Sequence, residues 1–164
     1  MSKAFTSSDL DDNTPFHDGE LAVQERMGVR EAIAPWARQV VRPFMPAQHR
    51  DFYAGLPFMV IAARDALGNA WASLLAGAPG FISTPDNRTL AFAANVAAGD
   101  GLAGALTQGA DIGLLGIQFA DRRRNRVNGR IGRAVDGGLT VDVDQTFGNC
   151  PQYIAPREWL PVRP

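Results

Sequence analysis

Cysteine, lysine and histidine are nearly absent from this chain. One cysteine, Cys150, cannot close an internal disulfide. That excludes a disulfide-stapled fold and fits a reducing compartment, so a cytoplasmic location is expected. The two histidines, His17 and His49, stand too far apart in sequence to form a recognisable metal motif. H-E-x-x-H, C-x-x-C and G-x-S-x-G are all missing, so neither a metal site nor a hydrolase nucleophile is expected. No apolar run approaches the roughly 18 residues of a membrane span. The longest, such as Phe58–Ala63 and Trp71–Ala76, fall far short, and no membrane association is expected. No N-terminal segment joins a basic start to an apolar stretch, so no secretory signal is expected. A positive excess is lacking too. The net charge of −1 argues against nucleic acid as a partner.

What is present is ordinary globular chemistry. The 164 residues are 46% hydrophobic and 20% charged, enough for one real core and too apolar for general disorder. Seventeen glycines and eleven prolines predict many turns and few long helices. Residues 1–15 carry serine and aspartate without apolar periodicity and read as a flexible N-terminal arm. Residues 16–56 read as a helical segment. From Glu20 to Val41 apolar residues recur at three- and four-residue steps, with breaks expected at Gly28 and Pro35. A short helix from Pro46 to Leu56 follows, with Pro46 in its first turn.

From residue 57 to 164 the period changes to that of strands. Phe58–Ala63 and Ala70–Ala76 flank a Gly68-Asn69 turn, as in a hairpin. After Phe81-Ile82-Ser83 and the turn cluster Thr84-Pro85-Asp86-Asn87-Arg88, further strands are expected at Thr89–Ala93, Ile112–Phe119, Arg124–Val135 and Leu139–Phe147. One or two helical turns are expected at Leu102–Thr107, and a tight turn at Asp136-Gly137-Gly138. The expected fold is mainly β with flanking helices: about six antiparallel strands in a small barrel.

Four motifs invite a functional reading. Gly99-Asp100-Gly101-Leu102-Ala103-Gly104 matches G-x-G-x-x-G, and Asp121 lies roughly 20 residues on, as in a dinucleotide fingerprint. The strand before it is weak and the helix after it too short for a crossover. Asp100 would also set a carboxylate against a pyrophosphate, so a plain glycine-rich loop is the better reading. The second motif is arginine-rich, Arg122 to Arg130. Strand alternation puts Arg124, Arg126, Asn128 and Arg130 on one face and Val127, Gly129 and Ile131 on the other. Such a face is either solvated or neutralised by an anion such as phosphate, which guanidinium forks hold in bidentate fashion. The third, Trp71 to Phe81, is a strand running into a Gly/Pro turn. It is either core or a backbone platform for a planar heterocycle. In the fourth, Phe147 to Ile154, a lone Cys150 beside Pro151 is better read as a small hydrophobe than as a redox thiol.

Phe16-His17-Asp18-Gly19-Glu20-Leu21-Ala22-Val23-Gln24-Glu25, the hairpin into Trp71–Phe81, the Arg126-Val127-Asn128-Gly129 strand and Phe147–Ile154 occur in one order. Together, across roughly Phe16 to Leu160, they resemble predicted flavin-nucleotide-binding proteins related to pyridoxamine 5′-phosphate oxidase. The resemblance implies a six-stranded antiparallel split β-barrel over 57–164 and an FMN-binding groove at a homodimer interface. It implies a flavin-dependent oxidoreductase. A cofactor-holding module without turnover (flavin, haem or another group) and a purely structural barrel are the alternatives. By the same resemblance Ala72, Ser73 and Leu74 offer backbone to the flavin ring. Arg124, Arg126 and Asn128 hold the phosphate, and Asn149 and Gln152 lie near the cofactor. No catalytic side chain is implied. The chain departs from the family pattern before Leu102: Ala98-Gly99-Asp100-Gly101 replaces a Gly-Asn-Asn-Arg-like segment. His17 is given only a capping or surface role.

Overall fold

The computed structural model describes residues 14–78, 80–135, 137–158 and 160. Residues 1–13 of the expected arm, and Asp136 of the expected turn, lie outside the described residues. The chain divides into two compact units, with the boundary between Arg42 and Pro43.

The first unit holds helices α1 (Asp18–Arg26) and α2 (Arg30–Val40). The Phe16–Glu25 motif is a helix start. His17 Nδ1 accepts the backbone N–H of Gly19 at 3.0 Å and of Glu20 at 3.3 Å. The Glu20 carboxylate in return accepts the His17 N–H at 3.1 Å. Two otherwise orphaned donors of the first turn are thereby satisfied. The helix breaks as expected at Gly28, whose φ of 67° suits glycine. It does not break at Pro35, which sits inside α2. The pyrrolidine nitrogen lacks the proton for a bond to the Glu31 carbonyl, and α2 runs on without that bond.

The second unit opens with α3 (Ala47–Ala54), which Pro46 precedes as N-cap rather than entering its first turn. Seven strands follow: β1 (Phe58–Arg64), β2 (Ala70–Ala76), β3 (Ile82–Ser83), β4 (Thr89–Phe92), β5 (Asp111–Gln118), β6 (Arg123–Val135) and β7 (Gly138–Asn149). They form one antiparallel sheet in the order β2-β1-β5-β6-β7-β4-β3. The expected six strands are therefore seven, since the two-residue β3 pairs with β4 and extends the sheet. The sheet is not a closed six-stranded barrel, because β2 and β3 remain edges. Leu102–Thr107 is not helical. Asp100 to Ala105 makes successive tight turns, Ala103 N–H to the Asp100 carbonyl and Ala105 N–H to the Leu102 carbonyl. Glycines at 99, 101 and 104 weaken a helix here, and the Asp100 carboxylate competes for the Leu102 N–H at 2.8 Å.

The core lies on one face of this sheet. Met59 and Ile61 of β1, Leu75 of β2, Leu114 of β5, Val127 of β6 and Val141 of β7 are buried with Phe52, Tyr53 and Leu56. Each such side chain contributes on the order of 1.5–3 kcal/mol. A β-bulge between Asn128 and Gly129 lets Asp144 intrude into β7. A Cβ on Gly129 would collide with the Asp142 carbonyl oxygen, so the bulge requires glycine there.

Candidate functional site: the outer face of the sheet

Pairing registers turn the opposite face into a grid. In one cross-strand row stand Leu74, Val60, Leu115, Arg126 and Phe147, from β2, β1, β5, β6 and β7 in turn. The next row is Ala72, Ala62, Gly113, Asn128 and Gln145. On the other side of the first row Ile117, Arg124 and Asn149 align. A depression of about 210 Å³ opens in this grid, its walls including Val60, Gly113, Leu115, Arg126 and Asn128. Gly113, with no side chain, keeps its floor low. Within these two rows the β2–β1–β5 half is aliphatic, with Leu74 60% exposed. The β6–β7 half of the rows is polar apart from Phe147.

The polar half has uneven hydrogen bonding. The Arg126 guanidinium lies 5.8 Å from the Phe147 ring centroid and makes no hydrogen bond or ion pair with any described residue. Arg124 donates from Nη2 to the Cys150 carbonyl at 3.0 Å, which ties down the chain leaving β7. Its buried Nε and the buried Asn149 Oδ1 have no partner among the described residues. Asn128 Nδ2 donates to Gln145 Oε1 at 3.3 Å. Beyond that row lies an acidic patch. Arg130 Nε stands 3.5 Å from Asp111 and 3.8 Å from Asp144, and Asp142 is Arg130's strand partner. Burial raises the Asp144 carboxyl pKa above the ordinary value. Arg130 opposes the rise, and Asp111 and Asp142 add to it.

Behind the face, the backbone of β6 is braced by a buried polar cluster. Thr146, wholly buried on the core side of β7, contacts His49 Nδ1 at 3.0 Å and the Tyr53 hydroxyl at 3.4 Å. Tyr53 also donates to the Arg126 carbonyl at 3.5 Å. Burial pushes the Tyr53 phenol pKa well up, so it stays protonated and remains a donor.

Of the residues singled out by sequence, Ala72, Leu74, Arg124, Arg126, Asn128 and Asn149 share the outer face. Ser73 does not, because alternation turns it inward, where its hydroxyl donates to Asp100 Oδ1 at 2.6 Å. That bond, with the Leu102 N–H, holds the Asp100 carboxyl below its ordinary pKa. Asp100 therefore sits with Ser73 rather than among the arginines. Gln152 lies exposed beyond β7, with Cys150 Sγ 4.0 Å from its Oε1. Sequence reasoning missed Val60, Gly113, Leu115 and Phe147. Their signal is register: once β5 and β6 are paired, Leu115 must lie opposite Arg126.

An antiparallel, incompletely closed sheet with its core on one side defines a split-barrel-like fold. Two solved structures are similar to it. The crystal structure of HupZ from Group A Streptococcus, carrying a V5 and hexahistidine tag, superposes with a TM-score of 0.50 at 14% identity. It covers 70% of this chain and 99% of that one. A histidine-to-alanine variant of the same protein gives a TM-score of 0.48 at 14% identity, covering 64% and 99%. At such identity the likeness to HupZ concerns the fold alone. No family model matches the chain, and no curated protein matches it. No helix among the described residues is long and apolar enough to cross a membrane.

Proposed function

We propose that this chain is a flavin-nucleotide-binding protein that takes FMN, or a similar phosphorylated heterocycle, on the outer face of its sheet. What carries the reading is the Arg126 guanidinium, without a hydrogen-bond or ion-pair partner among the described residues, at the border between the aliphatic and polar halves of its row. The donor set fits the group. Arg126 offers charge-assisted donors to a phosphate, with the Arg124 guanidinium one row along on the same face. Val60, Leu74 and Leu115 offer apolar contact to a planar ring, and Gly113 leaves it room. β2 is an edge strand, so part of the backbone at Ala72, Ser73 and Leu74 points away from β1 and can meet polar ring atoms. Asn149 Oδ1 is a spare acceptor beside the phosphate arginines, and Gln152 stands further out.

The depression is smaller than the roughly 300–1,000 Å³ usual for ligand pockets. A second copy of the chain supplies the missing wall, making the protein a homodimer with the site at its interface. Bound FMN supplies redox chemistry, as in a flavin-dependent oxidoreductase. The chain's part is to hold the phosphate through Arg124 and Arg126, orient the ring against β2, and exclude water with the aliphatic row. A second reading, a cofactor holder without turnover, is favoured by one observation. The six residues of the β2–β1–β5 half in the two central rows include no titratable side chain.

Absorbance of the purified protein, and uptake of added FMN, test the proposal. Flavin absorbance that stays with the protein through gel filtration is the expected result. Protein that stays colourless after incubation with FMN overturns it. Oxidation of a reduced nicotinamide by the loaded protein then separates oxidoreductase from holder.

A further inference from the structure

A ligand that uses both halves of the outer face must cross one seam. In the two central rows the aliphatic positions stand on β2, β1 and β5, while Arg126 and Asn128 stand on β6. A ring resting on Leu74, Val60 and Leu115 is centred on β1. Val60 on β1 and Arg126 on β6 are two strand spacings apart, about 10 Å, because β5 lies between them. Such a ring, with its phosphate at Arg126, carries a linker across the β5–β6 seam.

Four residues flank that seam in the central rows: Leu115 and Gly113 on β5, Arg126 and Asn128 on β6. Leu115 is apolar, Gly113 has no side chain, and Arg126 serves the phosphate. Asn128 is left to meet the linker, and its amide is already turned. Its Nδ2 donates to Gln145 Oε1 at 3.3 Å, on the β7 side. Its Oδ1 faces the β5 side, where a Cβ placed on Gly113 would lie 3.7 Å from it. Asn128 and Gly113 both line the depression. No described residue donates a hydrogen bond to this oxygen. It is an acceptor held over an open floor, and a ligand that covers it without offering a donor binds more weakly.

We infer that Asn128 is a specificity-determining residue, whose Oδ1 accepts a hydrogen bond from a hydroxyl on the chain joining ring to phosphate. The site then selects heterocycles linked to phosphate through a polyol, as FMN is through its ribityl group. It disfavours those with a short or unhydroxylated link. The inference rests on the flavin-nucleotide reading above and deepens it. Arg126 reads the phosphate, the aliphatic row reads the ring, and Asn128 reads what joins them. This role differs from the phosphate contact that family resemblance implies for Asn128.

Calorimetric titration with three probes tests it. The first is FMN. The second is a flavin with a 5-phosphopentyl chain on the same ring nitrogen, which matches FMN in ring, length and phosphate but lacks the hydroxyls. The third is pyridoxine 5′-phosphate, whose ring and phosphate are one methylene apart. The wild type should prefer FMN to both others. Asn128→Leu should cut FMN affinity about 2- to 12-fold, the value of one hydrogen bond, and leave the phosphopentyl flavin nearly unchanged. Asn128→Asp keeps an acceptor oxygen, so the preference for FMN over the phosphopentyl flavin should persist even where the added charge weakens both. Circular dichroism checks folding, and if Asn128→Leu does not fold, Asn128→Ala carries the same comparison. A wild type that takes up neither flavin overturns the inference together with the flavin reading. A wild type that takes up FMN keeps that reading. The inference alone then fails if the two flavins bind equally, if their difference survives Asn128→Leu or vanishes in Asn128→Asp, or if pyridoxine 5′-phosphate binds more tightly than FMN.

Discussion

On β6, Val127 and Ile131 are buried in the core, while Arg124, Arg126, Asn128 and Arg130, interleaved with them, lie half-buried or exposed on the other side. The same thirteen-residue strand thus serves two surfaces with opposite requirements. Apolar side chains fill most of the inner one, and its Thr146–His49–Tyr53 cluster is hydrogen-bonded, although the buried Gln118 Oε1 has no partner among the described residues. The outer one keeps unspent donors at Arg124 and Arg126 and an exposed aliphatic row. Stability resides on the first surface and recognition on the second, and a two-residue alternation keeps them apart.

That division can be broken most strongly from the inside. Leu114→Ala should cost about 2–5 kcal/mol of folding stability, because it leaves a cavity among packed core side chains. Denaturant unfolding checks it, and a cost below about 1 kcal/mol would contradict this account of the core. From the outside the effect should fall on binding instead. Arg126→Ala should weaken FMN by about 1.5–3 kcal/mol, leave riboflavin nearly unchanged, and leave folding stability within about 0.5 kcal/mol. Calorimetric titration with both ligands decides it, since equal losses would place the phosphate elsewhere. Thr146→Val tests whether the inner polar cluster props the outer face. It should cost about 0.5–1.5 kcal/mol for each hydrogen bond lost, since the Thr146 hydroxyl contacts both His49 and the Tyr53 hydroxyl. It should also shift the Val127 amide resonance, because Tyr53 contacts the Arg126 carbonyl of that same peptide group.

The smallest effect is a pH one. The Asp65 pKa is held down to about 2, first by the Trp71 indole N–H, then by Asn69 and nearby backbone N–H groups. A carboxyl with a lowered native pKa stabilises the fold above its unfolded value of 3.8 and loses that contribution as pH falls through about 2. The β1–β2 hairpin should therefore loosen only below pH 3.8, seen as movement of the Trp71 indole N–H resonance. A resonance that moves at neutral pH and not at acid pH would contradict the assignment.

Much of the second unit is legible in the sequence because alternation is a local signal. Val127 against Arg126, and Leu139, Val141 and Val143 against Asp142, betray their faces without tertiary knowledge. The His17–Glu20 cap is equally local, although its function as a cap becomes plain only with the Nδ1 contacts. The turns at Asp100–Ala105 imitate a helix in sequence because Leu102 and Leu106 keep helical spacing, but a side-chain oxygen captures the Leu102 N–H first. Ser73 belongs with its neighbours by family resemblance, yet alternation alone assigns it to the inner side. The partnership of Leu115 with Arg126, and of both with Leu74, depends on pairing between strands distant in sequence. Only register reveals it.

Trp71 joins two distant parts of the chain. Its indole N–H is held by Asp65 at the hairpin turn, at 2.9 Å, and its ring lies where a side chain at Gly101 would be. One chromophore therefore touches both the tip of the first hairpin and the glycine loop tied to Ser73. With the other two tryptophans replaced by phenylalanine, its emission becomes a built-in optical gauge of that edge. It can report whether the loop stays shut while the opposite face fills.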